Sequence, residues 1–461
     1  MNRKEFLGAL AAPAVVPARA LGLGATAANS RLALAIIGSG NRALFEARHW
    51  ASIEGCEVAA LCDVQETRRM AARAAFEKLY AERRGPGTGR GIPLFNDFRE
   101  LLARADVDAV YIATPDHWHV PILVAALKAG KACHCEKPLG VSIEQDLAAL
   151  RAVKKYRRPF FYGAERRSTP DARHAVELVL NGRIGEVKEI WVAAPPSKSG
   201  GSGAPAPVPA GLDWDMWQGP APERPFSPDR IGEGIFHIHD YCLGFIANWG
   251  IHPLDQAQWW ADNAGLDVPV EYEGSGTIAG GGLYDCAVRW DLRCTYPNGL
   301  VLRYMDGDTF NRRDDVPALM GPAGKRGLNA AIFVGTNGTV AVAYDRVLTE
   351  PAALAQSEIR PGEKRLPASP LAPERVTGKG AWDSPAAAHQ LAWIESLRSG
   401  KPGVHSIETA VRANLICHLS DIAVRTGRRI RWDPAAQAIA GDAEAARMAR
   451  RPMRQPWGLP A

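Results

Sequence analysis

Residues Leu32 to Val64 read LALAIIGSGNRALFEARHWASIEGCEVAALCDV, which is two apolar runs with a glycine turn and a helical pattern between them. The first run ends at Ile37 and is followed by Gly38-Ser39-Gly40-Asn41-Arg42-Ala43. The second run ends at Cys62, and the acidic residue Asp63 comes directly after it. This order predicts a strand, a tight turn, a helix and a second strand that ends in an acid.

The residue types in this turn suit a dinucleotide. Gly38 permits the turn, Gly40 lets the backbone approach a pyrophosphate, and Ala43 keeps the helix close to the sheet. Amide groups near Asn41 present the positive end of the helix dipole to phosphates. Asp63 can accept hydrogen bonds from ribose hydroxyls and would repel a 2′-phosphate, so the pattern predicts NAD rather than NADP as the cofactor.

The composition is that of an ordinary globular protein. The 461 residues are 46% hydrophobic and 23% charged, with a net charge of +5, which predicts two domains rather than a disordered or membrane protein. The sequence has no basic stripe with interleaved aromatic residues, so nucleic acid is not expected as a partner. The eight cysteines lack the paired spacing of a zinc site. Cys286 and Cys294 could be neighbours on one hairpin, and export would permit a disulfide there.

Residues 1–30 have the character of an export signal. A charged start is followed by an alanine-rich apolar stretch and then by Val16-Pro17-Ala18-Arg19-Ala20, which offers a small-residue cleavage site. The R-K-x-F-L pattern resembles a twin-arginine signal in which Lys4 replaces the second arginine. We expect a periplasmic or exported protein with no integral membrane segment after signal removal. A signal that does not function would leave the protein in the cytoplasm.

The pattern of predicted elements changes near residue 164. Over residues 31–163 helices and strands alternate, which predicts a doubly wound parallel sheet. Over residues 164–461 strands follow one another with few helices between them, which predicts an α+β domain with a large, mostly antiparallel sheet. The segment Phe245 to Ala261 is predicted to form one amphipathic helix with Asn248 and His252 on one face. The last thirty residues are predicted to form an extended polar tail.

Two polar motifs follow later strands of the first domain, at the edge where open α/β sheets bind ligands. Thr114-Pro115-Asp116-His117-Trp118-His119 follows one strand, and Glu136-Lys137-Pro138 follows the next. His117 and His119 could form half of a metal site, but no third ligand accompanies them at useful spacing, so no metal is expected.

These motifs resemble the glucose–fructose oxidoreductase / inositol dehydrogenase family of sugar oxidoreductases, and in particular its exported bacterial branch. The matching segments are AIIGSGNRA, LCDV, YIATPDHWHVPILVAALKAGKACHCEKPL, LDWDMWQGPAP and NWGIHPLD, with VGTNGTV and RWDP further on. They extend from about Leu32 to Asp433. The resemblance implies a Rossmann domain, a sheet domain with a carbohydrate pocket, a tightly bound NAD and a homo-oligomer. It also implies that Lys137 and His252 lie beside the nicotinamide.

The motifs and the resemblance together predict two sets of site residues. The predicted cofactor contacts are Gly38, Ser39, Gly40, Asn41, Arg42, Asp63, Thr114, Pro115, His117, His119, Glu136 and Lys137. The predicted substrate contacts are Arg166, Trp217, His239, Asn248 and Asp255.

Proton chemistry assigns different roles to Lys137 and His252. Hydride removal from a carbinol requires a base for the hydroxyl proton. Histidine has an ordinary pKa of about 6.5, whereas lysine would need a shift of roughly 3 units to act as a base at neutral pH. We predict that His252 carries the proton and that Lys137 orients the hydroxyl as a charged donor. The family commonly has aspartate where this chain has Asn248, so Asp255 is a candidate to orient His252 instead.

Three classes of function are consistent with these motifs. The first is an NAD-dependent oxidoreductase that acts on a secondary hydroxyl of a sugar, inositol or glycoside. The alternative is an NAD-dependent glycoside hydrolase, in which transient oxidation permits elimination of the glycosidic bond. It needs an additional base, for which His237, His239 and Tyr241 are candidates. The third class is a non-catalytic sugar-binding protein, for which the replacement at Asn248 is the only support.

Overall fold

The computed structural model describes residues 31–317, 329–343, 346–369 and 385–459. The predicted export signal at residues 1–30 therefore lies outside the described residues. Over those described ranges, no helix combines the length and the apolar character needed to cross a membrane.

The first part of the chain alternates strands and helices. The strands are β1 (Leu32–Ile37), β2 (Cys56–Cys62), β3 (Leu94–Phe95), β4 (Ala109–Ile112), β5 (Ala132–Cys135) and β6 (Phe160–Tyr162), and the helices are α1 (Asn41–Ser52), α2 (Glu66–Arg84), α3 (Phe98–Leu102), α4 (His119–Lys128) and α5 (Ile143–Tyr156). The strands form one six-stranded sheet in the order β3-β2-β1-β4-β5-β6. Every pair in it is parallel, so the predicted doubly wound sheet is confirmed.

The second part contains a larger sheet. Its helices are α6 (Pro170–Leu180), α7 (Trp214–Gln218), α8 (Phe245–Asn248), α9 (Ile251–Asn263), α10 (Gly307–Arg312), α11 (Pro385–Ser399), α12 (Ile407–Thr426) and α13 (Ala443–Met448), and its strands are β7 (Val187–Ala194), β8 (Glu271–Ile278), β9 (Ala287–Thr295), β10 (Val301–Asp306), β11 (Ala330–Gly335), β12 (Thr339–Ala343), β13 (Val347–Glu350), β14 (Ile430–Asp433) and β15 (Ala438–Ala440). The nine strands pair in the order β13-β12-β11-β7-β10-β9-β8-β14-β15. Strands β7 and β10 are parallel, and the neighbours paired along the rest of the sheet are antiparallel, as predicted.

Helix α11 belongs to the later part of the chain but packs on the first sheet domain. Its residues Leu391, Trp393 and Ile394 are fully buried in one cluster with Trp50 of α1. The indole rings of Trp393 and Trp50 meet edge to face, 5.7 Å apart. This apolar contact stabilises the packing of α11 against the first domain.

The segment Phe245 to Ala261 was predicted to form one helix, and this prediction is wrong. Helix α8 ends at Asn248, and α9 begins at Ile251. The hydroxyl of Tyr304 donates a 2.6 Å hydrogen bond to the Ile246 carbonyl oxygen, which a continuous helix would use for its own backbone. A side chain on Gly250 would also collide with that hydroxyl. Asn248 and His252 therefore lie on different helices.

The prediction that the last thirty residues form an extended polar tail is also wrong. Ile430 and Trp432 are buried while Arg431 and Asp433 are exposed, and this alternation is typical of a half-buried strand. Strand β14 pairs with β8, and β15 pairs with β14. After α13 the chain returns to the first domain, where the ring of Trp457 lies 4.9 Å from that of Trp118.

Cys286 and Cys294 do not face each other across a hairpin. Cys294 lies in β9 and Cys286 immediately precedes that strand, so eight residues of extended chain separate them by about 26 Å. A disulfide between them is excluded by this distance. The Sγ atom of Cys286 lies instead 4.0 Å from that of Cys242, and the cysteines are buried free thiols.

Candidate active site

The turn after β1 fits tightly between neighbouring strand ends. Gly38 has a φ of +91°, and a Cβ at this position would lie 2.6 Å from backbone atoms of Ala113 and Thr114. Its amide donates a 2.9 Å hydrogen bond to the Cys62 carbonyl. Only glycine combines this conformation with this close approach. The turn is therefore shaped as a backbone cradle at the point where the strand order reverses, as a dinucleotide requires.

Asp63 is held by backbone amides on both oxygens. The Ser39 amide donates to Oδ2 at 2.8 Å, and the Gln65 amide donates to Oδ1 at 2.9 Å. Burial raises the pKa of Asp63, and these hydrogen bonds together with the nearby Arg68 offset part of that rise. Arg68, on the first turn of α2, also reaches the glycine turn, since a Cβ on Gly40 would come within 3.1 Å of its Nη1 atom.

Two adjoining cavities run along the carboxyl edge of the parallel sheet. They share Gly40, Arg68, Thr114, Pro115 and Trp217 in their walls. The first contains Gly38 and Asp63, and the second contains Asn41, Arg42, Asp116, His119, Glu136, Lys137 and Asn248. We call this continuous space the site cleft. The site cleft therefore connects the glycine turn and Asp63 at one end with Lys137 and Asn248 at the other.

Most of the predicted cofactor residues line the site cleft, but Ser39 and His117 do not. Ser39 is fully buried, and His117 contacts the back of the cleft wall. Its Nε2 atom lies 3.0 Å from the Trp217 carbonyl oxygen, and its ring packs against the rings of Trp217 and Tyr241. Burial lowers the pKa of His117 to about 4. His117 is therefore part of the wall behind the cleft.

His119 connects the two polar loops. Its Nδ1 atom lies 2.7 Å from the Pro138 carbonyl oxygen, and its Nε2 atom lies 2.9 Å from the Thr114 carbonyl oxygen. The ring thus joins the loop after β4 to the loop after β5. Its structural contribution is to hold Lys137, next to Pro138, at a fixed position on the cleft wall.

Arg42 forms ion pairs with three carboxylates of the protein itself. Its Nε atom lies 3.1 Å from Glu136 Oε1 and its Nη2 atom 2.6 Å from Glu165 Oε2, and it also pairs with Glu46. Tyr111 donates to Glu136 at 2.8 Å. Burial raises the pKa of Glu46 to about 8. One guanidinium shared by three carboxylates therefore leaves one carboxyl protonated at neutral pH.

Lys137 lies where the two domains meet. Its Nζ atom donates to the main-chain oxygen of Asn248 at 2.7 Å and to the Asn248 side-chain oxygen at 3.3 Å. Burial lowers the pKa of Lys137, and Glu136 and Asp116 oppose this effect. Burial alone would raise the pKa of Glu136, but Arg42 and Lys137 outweigh it and lower that pKa.

His252 lies on the first turn of α9, is 6% exposed and is not among the residues that line the site cleft. It lies close behind the wall, because Lys137 and Glu165 both act on its pKa. Burial lowers the pKa of His252 well below its ordinary value, Lys137 lowers it further, and Glu165 opposes both. The imidazole is therefore neutral at neutral pH, which is the form that can accept a proton. Its lowered pKa also makes it a weaker base than the ordinary histidine assumed from the sequence.

Asp255 does not orient His252. Its two carboxylate oxygens accept hydrogen bonds of 2.7 and 2.9 Å from the guanidinium of Arg167. Both side chains are buried in the core. The expectation for Asp255 is corrected, because its charge is committed to Arg167 away from the cleft.

The remaining predicted residues lie elsewhere. Arg166 is buried in the helical turn after β6 and is not part of the site-cleft wall. His239 lies beside Asp421, at 3.3 Å, and Arg451. Burial lowers the pKa of His239 to about 3. These two substrate contacts were predicted by resemblance, and neither lines the site cleft. Arg166 is nevertheless close enough to His252 to lower its pKa.

The three proposed extra bases also lie outside the site cleft. His237 packs against Phe245 and Tyr284, and Tyr241 is fully buried. The acidic side chain on that part of the wall is Glu233, beside Phe236. Glu233 was not predicted because it belongs to no motif. Arg68 was not predicted either, although its position on the first turn after Asp63 was a usable signal.

Over the described residues, no group of three or more His, Cys, Asp or Glu side chains is arranged to hold a metal ion.

Comparison with known families agrees with this geometry. The family model described as "Oxidoreductase family, NAD-binding Rossmann fold" matches residues 32–164. The model described as "Oxidoreductase family, C-terminal alpha/beta domain" matches residues 196–335 and 382–459. The chain therefore belongs to this NAD-binding oxidoreductase family, the one to which glucose–fructose oxidoreductase and inositol dehydrogenase give their names.

Individual relatives match shorter segments. A protein of Stenotrophomonas maltophilia named "Glycosyl hydrolase family 109 protein" is 29% identical over 196 residues, which is 41% of each chain. The inositol 2-dehydrogenase of Rhizobium meliloti is 35% identical over 110 residues, 22% of this chain and 33% of that protein. The chain thus spans less than half the length of these curated relatives.

A solved structure shares the fold over most of the chain. The scyllo-inositol dehydrogenase of Lactobacillus casei, with bound NAD(H) and scyllo-inositol, has a TM-score of 0.55 and 17% identity. The match covers 87% of this chain and 99% of that one. At this identity the likeness establishes the fold.

Proposed function

We propose that this chain is an NAD-dependent oxidoreductase that transfers a hydride between a secondary hydroxyl of a sugar, inositol or glycoside and a tightly bound nicotinamide cofactor. The observation that carries the proposal is the site cleft, which runs without interruption from Asp63 to Lys137. It combines a glycine cradle and a ribose-binding acid at one end with a charged donor at the other.

The residues present fit the cofactor. The positive-φ turn at Gly38 and the backbone of Gly40 would hold the pyrophosphate, and Asp63 would accept the adenosine ribose hydroxyls. Thr114, Pro115 and Lys137 would flank the nicotinamide end. NAD supplies a hydride acceptor at this edge of the sheet when it is bound.

The protein's own groups then handle the proton. The neutral imidazole of His252 accepts the proton of the substrate hydroxyl, and it returns that proton in the reverse direction. The ammonium of Lys137 donates a hydrogen bond to the same substrate oxygen and stabilises the negative charge that develops on it. Burial of both side chains excludes water and strengthens these interactions.

The proposal includes NAD as the preferred cofactor. Asp63 supports this preference, since its carboxylate would repel a 2′-phosphate, whereas Arg68 beside it could partly compensate. Quenching of protein fluorescence by added NAD and NADP measures both affinities. We expect NAD to bind at least tenfold more tightly, and equal affinities would overturn this preference.

The alternative activity is an NAD-dependent glycoside hydrolase. Two observations favour keeping it: relatives are named glycosyl hydrolase family 109 proteins, and the carboxylate of Glu233 lines the cleft wall. Transient oxidation at one carbon transfers a hydride to the cofactor and acidifies the neighbouring proton. A base removes that proton, and elimination breaks the glycosidic bond and releases the aglycone as an alcohol. Water then adds to the double bond, and the hydride returns to the oxidised carbon. Glu233 would supply that base, in place of His237, His239 and Tyr241.

One experiment separates the two activities. Purified protein is first measured for the absorbance and fluorescence of bound reduced nicotinamide, and then incubated with free sugars, inositols and aryl glycosides. Reduction of the cofactor by a free sugar or an inositol, with reoxidation by a second carbonyl compound, supports the oxidoreductase. Cleavage of an aryl glycoside with no net change in the cofactor supports the hydrolase. Failure to bind any nicotinamide would overturn both proposals.

The proposal also covers location and organisation. We propose residues 1–30 as an export signal, 31–163 as the NAD-binding domain and 164–461 as the sugar-binding and oligomerisation domain. The charged and apolar order of the first thirty residues supports export to the periplasm, and cell fractionation of the full chain against a Lys4→Ala variant tests it. Family resemblance supports a homo-oligomer, which sedimentation measures directly.

A further inference from the structure

The residue four positions before His252 is an amide rather than the usual carboxylate. The Asn248 oxygen accepts a hydrogen bond from Lys137 Nζ at 3.3 Å. An amide can accept this hydrogen bond, but it cannot supply the negative charge that keeps a half-buried lysine protonated. If Lys137 acts as an ammonium, that charge must come from another residue.

Asp116 is placed to supply this charge from the other domain. It lies in the 3₁₀ turn that follows β4, lines the site cleft and is 5% exposed. The side chain of Asn248 is hydrogen-bonded to its carboxylate. The side-chain amide of Asn248 therefore contacts both groups: its oxygen accepts a hydrogen bond from Lys137, and the amide is also hydrogen-bonded to the carboxylate of Asp116.

Among the described residues, the carboxylate oxygen Oδ2 of Asp116 is buried and has no hydrogen-bond partner. A buried carboxylate oxygen without a partner is costly, and such atoms concentrate at functional sites. Asp116 and Lys137 both line the site cleft.

We propose that Asp116 is the positioning carboxylate of this site, acting through the Asn248 amide to hold Lys137 as an ammonium. The inference rests on the proposed role of Lys137 as a charged donor. In this site the acid lies on the loop after β4, and Asn248 of α8 is the bridge between that acid and Lys137.

Other charged groups act on Lys137 beside Asp116. Glu136 favours the ammonium more strongly than Asp116 does, although its Oε1 atom is shared between Arg42, at 3.1 Å, and Tyr111, at 2.8 Å. Arg42 acts in the opposite direction, and Glu165 adds a smaller favourable effect. Burial raises the pKa of Asp116, and the nearby His119, Lys137 and Asn248 oppose that rise.

The test measures the ionisation of Lys137 directly in the full chain without added nucleotide. Trace labelling with acetic anhydride across a pH series, read by mass spectrometry of the peptide containing Lys137, reports the pH at which the amine becomes reactive. The variants are Asp116→Asn, Asn248→Asp and the double exchange, with Asp106→Asn as a matched control on the exposed surface. Thermal unfolding of each variant verifies folding.

We expect Asp116→Asn to lower the titration midpoint of Lys137 by about 1 unit or more, and Asn248→Asp to raise it. The double exchange should return the midpoint to within a few tenths of a unit of wild type, and the control should not change it. An unchanged midpoint in folded Asp116→Asn overturns the inference, and so does a double exchange that fails to restore the midpoint. If Asp116→Asn does not fold, the inference is tested by Asn248→Asp alone. A titration midpoint of Lys137 in Asn248→Asp that equals the wild-type midpoint then overturns the inference. Because the readout requires no turnover, a failed proposal for the overall reaction would be distinguished from a failed role for Asp116.

Discussion

The guanidinium of Arg42 lies 2.6 Å from the carboxylate of Glu165, which joins the glycine turn after β1 to the helical turn after β6. Arg42 is at the start of α1, in the motif that was predicted to contact the cofactor. The structure places its side chain among Glu46, Glu136 and Glu165, and Arg42 also lines the site cleft. It therefore acts as the counter-charge of a buried carboxylate cluster on the wall of the site cleft.

Replacing Arg42 should destabilise the protein. In Arg42→Gln the buried carboxylates lose their counter-charge, and since the guanidinium is itself a third exposed, we expect a loss of about 3 kcal/mol in the free energy of unfolding. Arg428→Gln breaks two exposed ion pairs, which water and salt screen, so it should change that free energy far less. Urea unfolding measures both, and similar losses in the two variants would contradict this role of Arg42.

Glu46 should make stability depend on pH above the ordinary range of carboxyl groups. Its pKa is raised to about 8 in the folded protein, so the folded state holds a proton that the unfolded state releases. Its contribution to stability is present below about pH 4.5 and is lost as the pH rises to about 8. Glu46→Gln should reduce this loss by about 1 kcal/mol per pH unit.

Urea unfolding of wild type and Glu46→Gln between pH 5 and 8.5 measures this difference. The exposed variant Glu82→Gln serves as the control, because its partner lies 3.9 Å away on the helix surface. Parallel pH profiles for wild type and Glu46→Gln would mean that Glu46 is ionised at neutral pH.

Buried histidines should make the protein sensitive to acid. Burial lowers the pKa of His117 to about 4, compared with about 6.5 when unfolded. Between these values the unfolded state binds a proton that the folded state rejects, so stability falls as the pH falls. His117→Gln should make the acid limb of the stability profile shallower by about 1 kcal/mol per pH unit, although it costs stability at pH 7. An equally steep limb in wild type and variant would contradict the assignment.

Gly38 should be indispensable for cofactor binding. In Gly38→Ala the new Cβ would lie 2.6 Å from the backbone of Ala113 and Thr114 at a φ of +91°, so the turn must move. We expect the affinity for NAD, measured by fluorescence quenching, to fall at least tenfold. Gly91→Ala is the matched control, because Gly91 also has a positive φ of +75° but no atom within 4 Å of its Cβ position. An unchanged affinity for NAD in Gly38→Ala would contradict the proposal that this turn holds the cofactor.

Asp255 should be important for stability and not for substrate affinity. Asp255→Asn leaves Arg167 without its buried carboxylate partner, which we expect to cost about 3 kcal/mol or more in the free energy of unfolding. The KM for the sugar substrate, measured below the unfolding transition, should remain within about threefold of wild type. A large rise in KM with an unchanged free energy of unfolding would indicate that Asp255 contacts the substrate after all.

The cofactor end of the site was predictable from the sequence because its chemistry is local. Gly38, Gly40 and Asp63 lie at the ends of two strands that are close along the chain, and strand pairing alone brings them together. A glycine turn between a strand and a helix, with an acid at the end of the next strand, is typical of dinucleotide binding. The parallel sheet was predictable for a similar reason, since its apolar runs and helices alternate with clear periods.

The substrate end was only partly predictable. Lys137 and His252 were found by resemblance, but the break between α8 and α9 depends on Tyr304, which lies in β10. The commitment of Asp255 to Arg167 and of Arg42 to its carboxylates likewise joins distant segments. Charged side chains of this kind have several possible partners along the chain, so their pairing cannot be inferred from spacing.

The amino-acid sequence alone was sufficient to specify a nucleotide-binding parallel sheet and a second sheet domain, and it identified Lys137 and His252 as candidates for the chemistry. Tertiary structure decided the electrostatics of the site: which carboxylates surround Arg42, that Asn248 bridges Lys137 and Asp116, and that His252 is neutral. The physical reason is that backbone conformation is set by neighbouring residues, whereas the pKa of a buried group depends on every charge and every solvent-excluding atom around it, and those come from the whole fold.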